Sequence, residues 1–155
     1  MAVEIRVLRS GDEAILARVA DGVFDRPVDP GLTREFLADP RHHIAVAVDD
    51  GVVVGFASGV HYIHPDAAAQ LWINEVSLAE SHRRRGLGMA ALFQAGRESG
   101  CAEAWVLTYR DNGPAMALYA SVGGTEGADD SGASADLLGY SFDLTQGDTR
   151  ETARP

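Results

Sequence analysis

The chain has 155 residues, of which 46% are hydrophobic, and its 23 acidic and 13 basic residues give a net charge of −10. This length fits one domain with a substantial core, and the composition excludes an intrinsically disordered chain. The acidic balance argues against a nucleic-acid partner, because phosphate binding usually needs a broad basic face. It suits a small cationic substrate better.

Cysteine usage and the N-terminal sequence predict a cytoplasmic protein without a membrane partner. Cys101 is the one cysteine, so no internal disulfide can form, and we expect it to be a small buried residue. The N-terminus lacks a signal pattern, and the apolar run over residues 51–60 is too short to span a bilayer. We expect one domain over residues 1–144 and a disordered tail over residues 145–155.

Hydrophobic periodicity and turn residues predict alternating strands and helices along the chain. The first half is expected to hold a strand over residues 3–8, a helix over 14–19, a loop over 24–31, a helix over 32–38, and a hairpin of strands 44–48 and 52–60. The second half is expected to hold a loop over 61–69, a strand over 71–78, a helix over 86–99, a strand over 104–108, a helix over 112–122, a glycine-rich loop over 123–133 and a strand over 136–144.

The order of these elements predicts an α/β (α+β) fold with a mixed sheet and helices on both faces. The strand–helix–strand–helix run over residues 71–122 implies a crossover between parallel strands, whereas the earlier strands are hairpin-like and antiparallel. Trp72 and Trp105 fall on predicted strands, so we expect them in the core.

A basic turn at residues 83–88, Arg-Arg-Arg-Gly-Leu-Gly, lies directly after a predicted strand and before a predicted helix. A helix N-terminus offers unpaired N–H groups and the positive end of the macrodipole, and glycines let the backbone approach an anion. The turn is neither a Rossmann fingerprint nor a Walker loop. It indicates a phosphate or pyrophosphate site, with an ordinary solvated turn as the alternative.

A second motif begins at Asn112, which is suited to cap a helix with Pro114 in its first turn. Ala115, Tyr119 and Val122 then follow at helical spacing and are expected to face inward. Taken alone, this pattern makes Tyr119 a core aromatic.

Together, at this order and spacing, the two motifs resemble the GNAT superfamily of acyl-CoA-dependent N-acyltransferases over roughly residues 3–144. The resemblance implies a mostly antiparallel sheet of about seven strands with a central parallel β-α-β crossover. It also implies acetyl-CoA as the cofactor, while Gly124 departs from a family pattern that often has an aromatic there. The residues that the resemblance assigns to the cofactor are Val76, Leu78, Arg83, Arg84, Arg85, Gly86, Leu87, Gly88, Met89, Asn112 and Ala115.

Within the superfamily, residues 72–76 and 140–144 look most like the aminoglycoside 3-N-acetyltransferases, which implies acetylation of an aminoglycoside at its 3-N amine. An amine attacks a thioester only when neutral, so Glu75 is expected to act as general base, directly or through a water. Tyr119 is expected to protonate the leaving thiolate, and a backbone N–H near Val76 to stabilise the developing oxyanion. For Glu75 the alternative is an exposed carboxylate at a strand edge.

A polycationic acceptor needs carboxylates in its site. Asp143 on the last strand is the favoured candidate, and the loop over residues 24–32 is expected to form one wall of the cleft. Further candidates for substrate binding are Asp129, Asp66 and His61. No cysteine or carboxylate cluster accompanies His61 and His64 at ligand spacing, so the sequence predicts no metal site.

Two other functions use the same motifs. One is a protein lysine or N-terminal acetyltransferase, and the other is a non-catalytic acyl-CoA-binding sensor that needs neither Glu75 nor Tyr119. By analogy with relatives, we expect a homodimer.

Overall fold

A computed structural model describes residues 2–83, 88–127 and 136–146 of the chain. The strands within these ranges are β1 (Glu4–Val7), β2 (His42–Asp49), β3 (Val52–Tyr62), β4 (Ala69–Leu78), β5 (Cys101–Tyr109), β6 (Thr125–Gly127) and β7 (Leu137–Asp143). The α-helices are α1 (Pro30–Ala38), α2 (Met89–Glu98) and α3 (Gly113–Ser121), and 3₁₀ helices cover Glu13–Ala17 and Glu80–His82.

The strands form one sheet in the order β1-β2-β3-β4-β5-β7-β6. The pair β4 and β5 is parallel and is joined through α2, and the other neighbouring pairs are antiparallel. A parallel pair needs such a crossover, because the chain must return to the end of the sheet where the first strand began before it can start the second. The predicted fold class and the central crossover are confirmed.

Two hydrophobic clusters cover the two faces of the sheet. The first core lies under α2 and α3 and includes the fully buried Leu71, Ile73, Met89 and Leu92. The second core lies under α1 and the 3₁₀ helix Glu13–Ala17, around the fully buried Phe56. Helices therefore lie on both faces, as predicted.

Several predicted bounds differ from the observed ones; for example, α1 begins at Pro30 rather than at residue 32. The helix predicted over residues 14–19 is a 3₁₀ helix that ends at Ala17, because Val19 forms a parallel bridge with Val53. The loop predicted over residues 61–69 is shorter, since β3 runs to Tyr62 and β4 begins at Ala69. Part of the predicted glycine-rich loop, Thr125–Gly127, is a strand that pairs with β7.

Trp72 and Trp105 are half-buried rather than core residues. Their rings meet edge to face with centroids 3.9 Å apart, on the α1 face of the sheet beyond the reach of α1 itself. The Trp105 indole N–H donates to the Tyr62 hydroxyl at 2.9 Å, which explains how a half-exposed indole is satisfied. Cys101 is buried and free, as expected.

Among the described residues, no helix is both long and apolar enough to cross a membrane. The predicted tail falls almost entirely on residues 147–155, which lie outside the described ranges.

Candidate active site

Strands β4 and β5 separate in the middle of the sheet. Their parallel pairing runs from Ala69 and Cys101 to Trp72 and Trp105, although β4 continues to Leu78 and β5 to Tyr109. Beyond Trp72, the edge of β4 that faces β5 therefore has no strand partner in the described structure. Its free N–H and C=O groups are available to an extended ligand that carries amides.

An extra residue in β4 determines which side chain faces the α1 side of the sheet. Gly59 pairs with Ile73 and Ser58 pairs with Glu75, so Asn74 is bulged out of the register. Without this β-bulge, residue 75 would pair with Ala57, which is fully buried in the first core. The bulge therefore places Glu75 on the α1 face, as β-bulges near active sites commonly re-aim a side chain.

The α1 face contains a cavity of about 530 Å³, here called the α1 cavity. It lies between α1, the preceding loop and strands β2 to β4, and its volume is typical of a small-molecule site. The loop over residues 24–32 forms one wall, as the sequence analysis predicted. The lining residues are Leu16, Phe24, Asp25, Arg26, Pro27, Val28, Asp29, Leu32, Thr33, Phe36, Ile44, Phe56, Ser58, Asn74 and Glu75.

Glu75 and Asp25 line this cavity together with Arg26. Neither carboxylate has an ion pair or side-chain hydrogen bond within the described residues. Partial burial, and then the negative charge of Asp25, raise the pKa of Glu75 above its ordinary value. A carboxylate with a raised pKa is a stronger base than an ordinary one, which suits removal of a proton from an ammonium.

Two other polar groups of this wall are occupied by the start of α1. Asp29 caps the helix, accepting the Leu32 N–H at 2.8 Å, and the Thr33 hydroxyl donates to the Asp29 carbonyl at 2.8 Å. Pro30 in the first turn also favours a helix start here. These contacts hold the end of the wall at α1, and the stacking of Phe24 on Phe56 holds the residue next to Asp25.

On the opposite side of β4, the start of α2 offers backbone donors. Gly88 precedes α2 with a φ of 95°, a conformation that favours glycine, and no side chain caps the first turn. A Cβ on Gly88 would meet nothing closer than 3.5 Å, so backbone conformation, not space, requires the glycine. Met89 is fully buried, and its side chain packs in the first core.

The rest of the basic turn is described only in part. Arg83 is exposed and follows the 3₁₀ helix Glu80–His82. This helix is held against the β2–β3 hairpin, because His82 Nε2 lies 2.9 Å from Asp49 Oδ2. The predicted cofactor residues that lie outside the described ranges are Arg84, Arg85, Gly86 and Leu87.

The second motif is built as predicted. The Asn112 side chain accepts the Ala115 N–H at 3.2 Å and caps α3. Tyr119 is 7% exposed, and its ring packs against Tyr140 and Phe142. Burial raises the pKa of Tyr119, so the hydroxyl keeps its proton and can serve as a donor.

The Tyr119 hydroxyl makes no side-chain hydrogen bond within the described residues. Every fully buried side-chain oxygen in those residues has a partner, so the Tyr119 oxygen is not fully buried. The hydroxyl therefore retains contact with solvent and can reach a ligand. The departure at Gly124 also has a packing reason. A Cβ at this position would lie 2.7 Å from the Tyr119 carbonyl oxygen and 2.8 Å from the Phe142 ring.

Several predicted acceptor residues lie away from the α1 cavity. Asp143 accepts from the Thr145 hydroxyl at 2.5 Å and N–H at 2.8 Å, which lowers the pKa of Asp143. It faces Glu103 at the start of β5, the end of the strand remote from the opening. Asp66 contacts His64 in an exposed loop, and Asp129 lies outside the described residues.

His61 belongs to β3 and faces the α2 side of the sheet, since it pairs with the fully buried Leu71. Its Nδ1 lies 2.7 Å from His43 Nε2. Burial, and then the neighbouring His61 and His42, lower the pKa of His43 to about 4. In the described part of the chain, no three His, Cys, Asp or Glu side chains gather as a metal ion requires.

The sequence analysis missed the aromatic and hydroxyl groups of the cavity. Phe24 stacks on Phe56 with centroids 4.2 Å apart, and Phe36 and Ser58 also line the space. The sequence contains one signal for the bulge. Ile73 and Val76 are both apolar but three residues apart, and a regular strand with a period of two cannot place both on one face. In the structure both pack in the first core.

Comparisons with solved structures show the same fold in other proteins. One is yncA from Salmonella typhimurium, described as an acetyltransferase and solved with its cofactor acetyl-CoA, at 21% identity and a TM-score of 0.66 over 96% of this chain and 97% of that one. Another is the aminoglycoside acetyltransferase HMB0005 from an uncultured soil metagenomic sample, at 21% identity and a TM-score of 0.64 over 79% and 91%. A third is NAA60 of Arabidopsis thaliana in complex with a bisubstrate analogue, at 16% identity and a TM-score of 0.61 over 92% and 98%.

A search of curated proteins found no match. The family model described as the acetyltransferase (GNAT) family matches residues 15–123, which include the β4–α2–β5 crossover, the α1 cavity wall and α3. The chain therefore belongs to the GNAT family of acetyltransferases, enzymes whose cofactor is acetyl-CoA.

Proposed function

We propose that this enzyme transfers the acetyl group of acetyl-CoA to a primary amine of a small cationic acceptor in the α1 cavity, with Glu75 as general base. One observation carries the proposal. Glu75 lines the cavity without a described cation partner, on the strand whose other edge opens towards β5. At this position Glu75 would lie between an acceptor bound on the α1 face and a cofactor bound in the opening between β4 and β5.

The residues around the opening fit acetyl-CoA, which supplies an acetyl thioester when bound. The unpaired edge of β4 at Val76 and Leu78 matches the amides of pantetheine, and the uncapped N-terminus of α2 at Gly88 and Met89 matches its pyrophosphate. Arg83 would add positive charge to the same end. The same role is proposed for Arg84, Arg85, Gly86 and Leu87, and Asn112 and Ala115 would border the pantetheine from α3.

Each polar group of the site has one task. Glu75 removes a proton from the bound ammonium, directly or through a water, and its raised pKa makes that transfer more favourable. The Val76 N–H donates to the carbonyl oxygen as negative charge develops. The Tyr119 hydroxyl, held protonated by burial, donates to the departing sulfur.

The reaction balances without another reagent. The amine nitrogen forms a bond to the acetyl carbon as the carbon–sulfur bond breaks. Of the two protons that the ammonium gives up, one ends on the coenzyme A thiol and one passes through Glu75 to water.

An aminoglycoside acetylated at its 3-N amine is the more specific candidate. Its support is the acidic lining of the cavity at Asp25 and Glu75, and the similar fold of HMB0005, which is an aminoglycoside acetyltransferase. Against it stand the positions of Asp143 and Asp66, which would have to bind a large acceptor from outside the cavity.

Acetylation of a protein lysine or N-terminal amine is the second candidate. Its support is the acidic pair Asp25 and Glu75 in the cavity, which would also attract a lysine ammonium. A non-catalytic acyl-CoA sensor has no use for a base with a raised pKa, so it is the weakest candidate. A homodimer stays a prediction.

The test is release of coenzyme A thiol from acetyl-CoA with a panel of amines, followed by mass spectrometry of the acceptor. We expect acceptor-dependent thiol release and an acetylated amine product. Tight acetyl-CoA binding without turnover of small amines or of peptides would overturn the enzymatic proposal and favour a sensor. Turnover of peptides alone would replace the small acceptor with a protein.

A further inference from the structure

We propose that the acceptor is a monoamine with an apolar or aromatic body, whose ammonium binds between Asp25, Glu75 and Ser58 while its body packs against the aromatic wall of the α1 cavity. The inference rests on the proposed function and names the class of substrate. It follows from how polar and apolar groups are distributed within one cavity.

The polar end of the cavity contains three oxygen-bearing side chains without described partners. Asp25 and Glu75 are close enough for the charge of one to raise the pKa of the other. Ser58 is paired with Glu75 across the two strands and is only 6% exposed, yet its hydroxyl makes no side-chain hydrogen bond in the described structure. An ammonium group has three donors, so it satisfies all three side chains at once.

Ser58 is an observation independent of the acidic pair. A buried hydroxyl without a partner costs free energy, and the cost is avoided only where the oxygen reaches solvent or a ligand. No fully buried side-chain oxygen in the described residues lacks a partner, so the Ser58 oxygen must be reachable from the cavity it lines. The cavity therefore presents a hydrogen-bonding group at its floor beside the general base.

Much of the remaining cavity lining is apolar, although Arg26, Asp29, Thr33 and Asn74 also line it. Phe24 lies parallel to Phe56 at an interplanar angle of 8°, and Phe36 and Leu32 extend the surface. Leu32 is 66% exposed although it is a large aliphatic side chain on the cavity wall. A ligand that covers it gains hydrophobic free energy that the empty protein does not have.

Beyond the cavity, the same face of the sheet carries two further exposed hydrophobic side chains. Leu107 and Tyr109 are 43% and 62% exposed and face the α1 side, since Trp105 faces that side and residues two apart share a face. A polyhydroxylated polycation would place hydroxyls against these surfaces and lose their hydration without replacement hydrogen bonds. The distribution of groups therefore favours one ammonium on an apolar body.

The first experiment compares acceptors with the full-length enzyme and saturating acetyl-CoA. The amines are 2-phenylethylamine, hexylamine, ethanolamine, spermidine and kanamycin. We expect kcat/KM for 2-phenylethylamine and hexylamine to exceed that for ethanolamine about tenfold or more, because the buried apolar area differs. Spermidine and kanamycin are expected to be poorer still. Equal kcat/KM values for the apolar amines and ethanolamine, or a preference for kanamycin, would overturn the inference while leaving the proposed function intact.

The second experiment removes the apolar rim. Leu32→Ser is expected to raise KM for 2-phenylethylamine about fivefold and to leave KM for ethanolamine within twofold. Ile63→Ser is the matched control, because Ile63 is 81% exposed and does not line the cavity. Equal losses for both amines in Leu32→Ser would contradict packing of the body against this wall.

The third experiment removes the polar end without breaking a described contact. Ser58→Ala is expected to raise KM for every amine about threefold to tenfold, with unchanged or higher thermal stability, because an unpaired hydroxyl is removed. Ser77→Ala is the control, because Ser77 lies on the neighbouring strand β4 and on the same face of the sheet. Asp25→Asn is expected to raise KM and to move the acidic limb of the kcat/KM profile to lower pH. An unmoved limb and unchanged KM would remove Asp25 from the ammonium site.

If no amine in the panel supports thiol release, the proposed function itself fails. Isothermal titration calorimetry with acetyl-CoA and with 2-phenylethylamine then distinguishes a protein that binds the amine without turnover from one that has no amine site. Binding of the amine that Ser58→Ala weakens would preserve the monoamine site in a protein without turnover, and absence of amine binding would overturn both proposals.

Discussion

The two cores of this protein lie on opposite faces of the same strands, yet they are completed differently. In the first core, α2 and α3 cover the sheet closely, and Leu71, Ile73, Met89 and Leu92 are fully buried. In the second core, α1 covers only part of the sheet and leaves the α1 cavity of about 530 Å³ beside Phe56. The closed face packs tightly against strand β4, whereas on the open face we propose that Glu75 of this strand acts as the base.

The largest expected effect comes from removing the base on the open face. Glu75→Gln is expected to lower kcat/KM about 100-fold or more near neutral pH, because a general base contributes on that scale. The wild-type rate should fall with decreasing pH as Glu75 takes up a proton, and this limb should be absent from the variant. A variant that retains the acidic limb would exclude Glu75 as the titrating group.

The same substitution should not destabilise the protein. The folded pKa of Glu75 is raised, so the ionised side chain lowers stability above its ordinary pKa of 4.5, and this penalty disappears as the pH falls below that value. Glu75→Gln is therefore expected to be as stable as the wild type or more stable at neutral pH. Urea titrations at neutral and acidic pH check this sign.

A pair of leucine substitutions compares the two cores directly. Leu71→Ala should lower the free energy of unfolding by about 3–4 kcal/mol, because Leu71 is fully enclosed and leaves a cavity. Leu16→Ala should cost about 1–2 kcal/mol, since Leu16 already borders the α1 cavity. Denaturant titration of both variants measures the difference. Equal losses would mean that the second core is as closely packed as the first.

A smaller effect is expected on the side of the opening. Tyr119→Phe removes only a hydroxyl that has no described partner, so the fold should be unaffected. If the hydroxyl protonates the leaving sulfur, kcat should fall about tenfold with little change in KM for acetyl-CoA. An unchanged kcat would make Tyr119 a packing residue only, as its contacts with Tyr140 and Phe142 also allow.

The smallest effect is expected at Asp143. Its carboxylate is bound to Thr145 and faces the end of β5 remote from the opening. Asp143→Asn should therefore change KM for a small amine by less than about twofold. A large increase in KM would show that the acceptor extends along β7, and would support the aminoglycoside candidate over a compact monoamine.

The sequence predicted the elements that have a strong local signal. Alternation identified β1 and β7, a tight turn between two apolar runs identified β2 and β3, and the cap at Asn112 with Pro114 identified α3. These features depend on neighbouring residues alone. The short strand Thr125–Gly127 was missed because three polar and glycine residues have no alternation, and only pairing with β7 makes them a strand.

Several residues predicted for the acceptor side do not lie at the α1 cavity. The carboxylate at Glu75 and the loop wall were identified, but Asp143, Asp66 and His61 were chosen because their charges or ring nitrogens suit a cation. Whether such residues share a cavity depends on strand order and face, which tertiary structure decides. Asp143 lies on β7, beyond β5, and His61 lies on the α2 face of β3.

The bulge at Asn74 makes the chemistry of β4 depend on its register with β3 as well as on its residues. If all residues of β4 paired without the bulge, Glu75 would lie opposite Ala57 in the first core and Val76 would take its place in the α1 cavity. Deleting Asn74 would avoid that exchange, because Ile73 would still pair with Gly59 and Glu75 with Ser58 in a regular strand. An ordinary substitution alters one side chain, whereas a shift of register by one residue exchanges the two faces of the strand. Libraries built to change acceptor preference should therefore vary residue identity in β4 and keep its register with β3 constant.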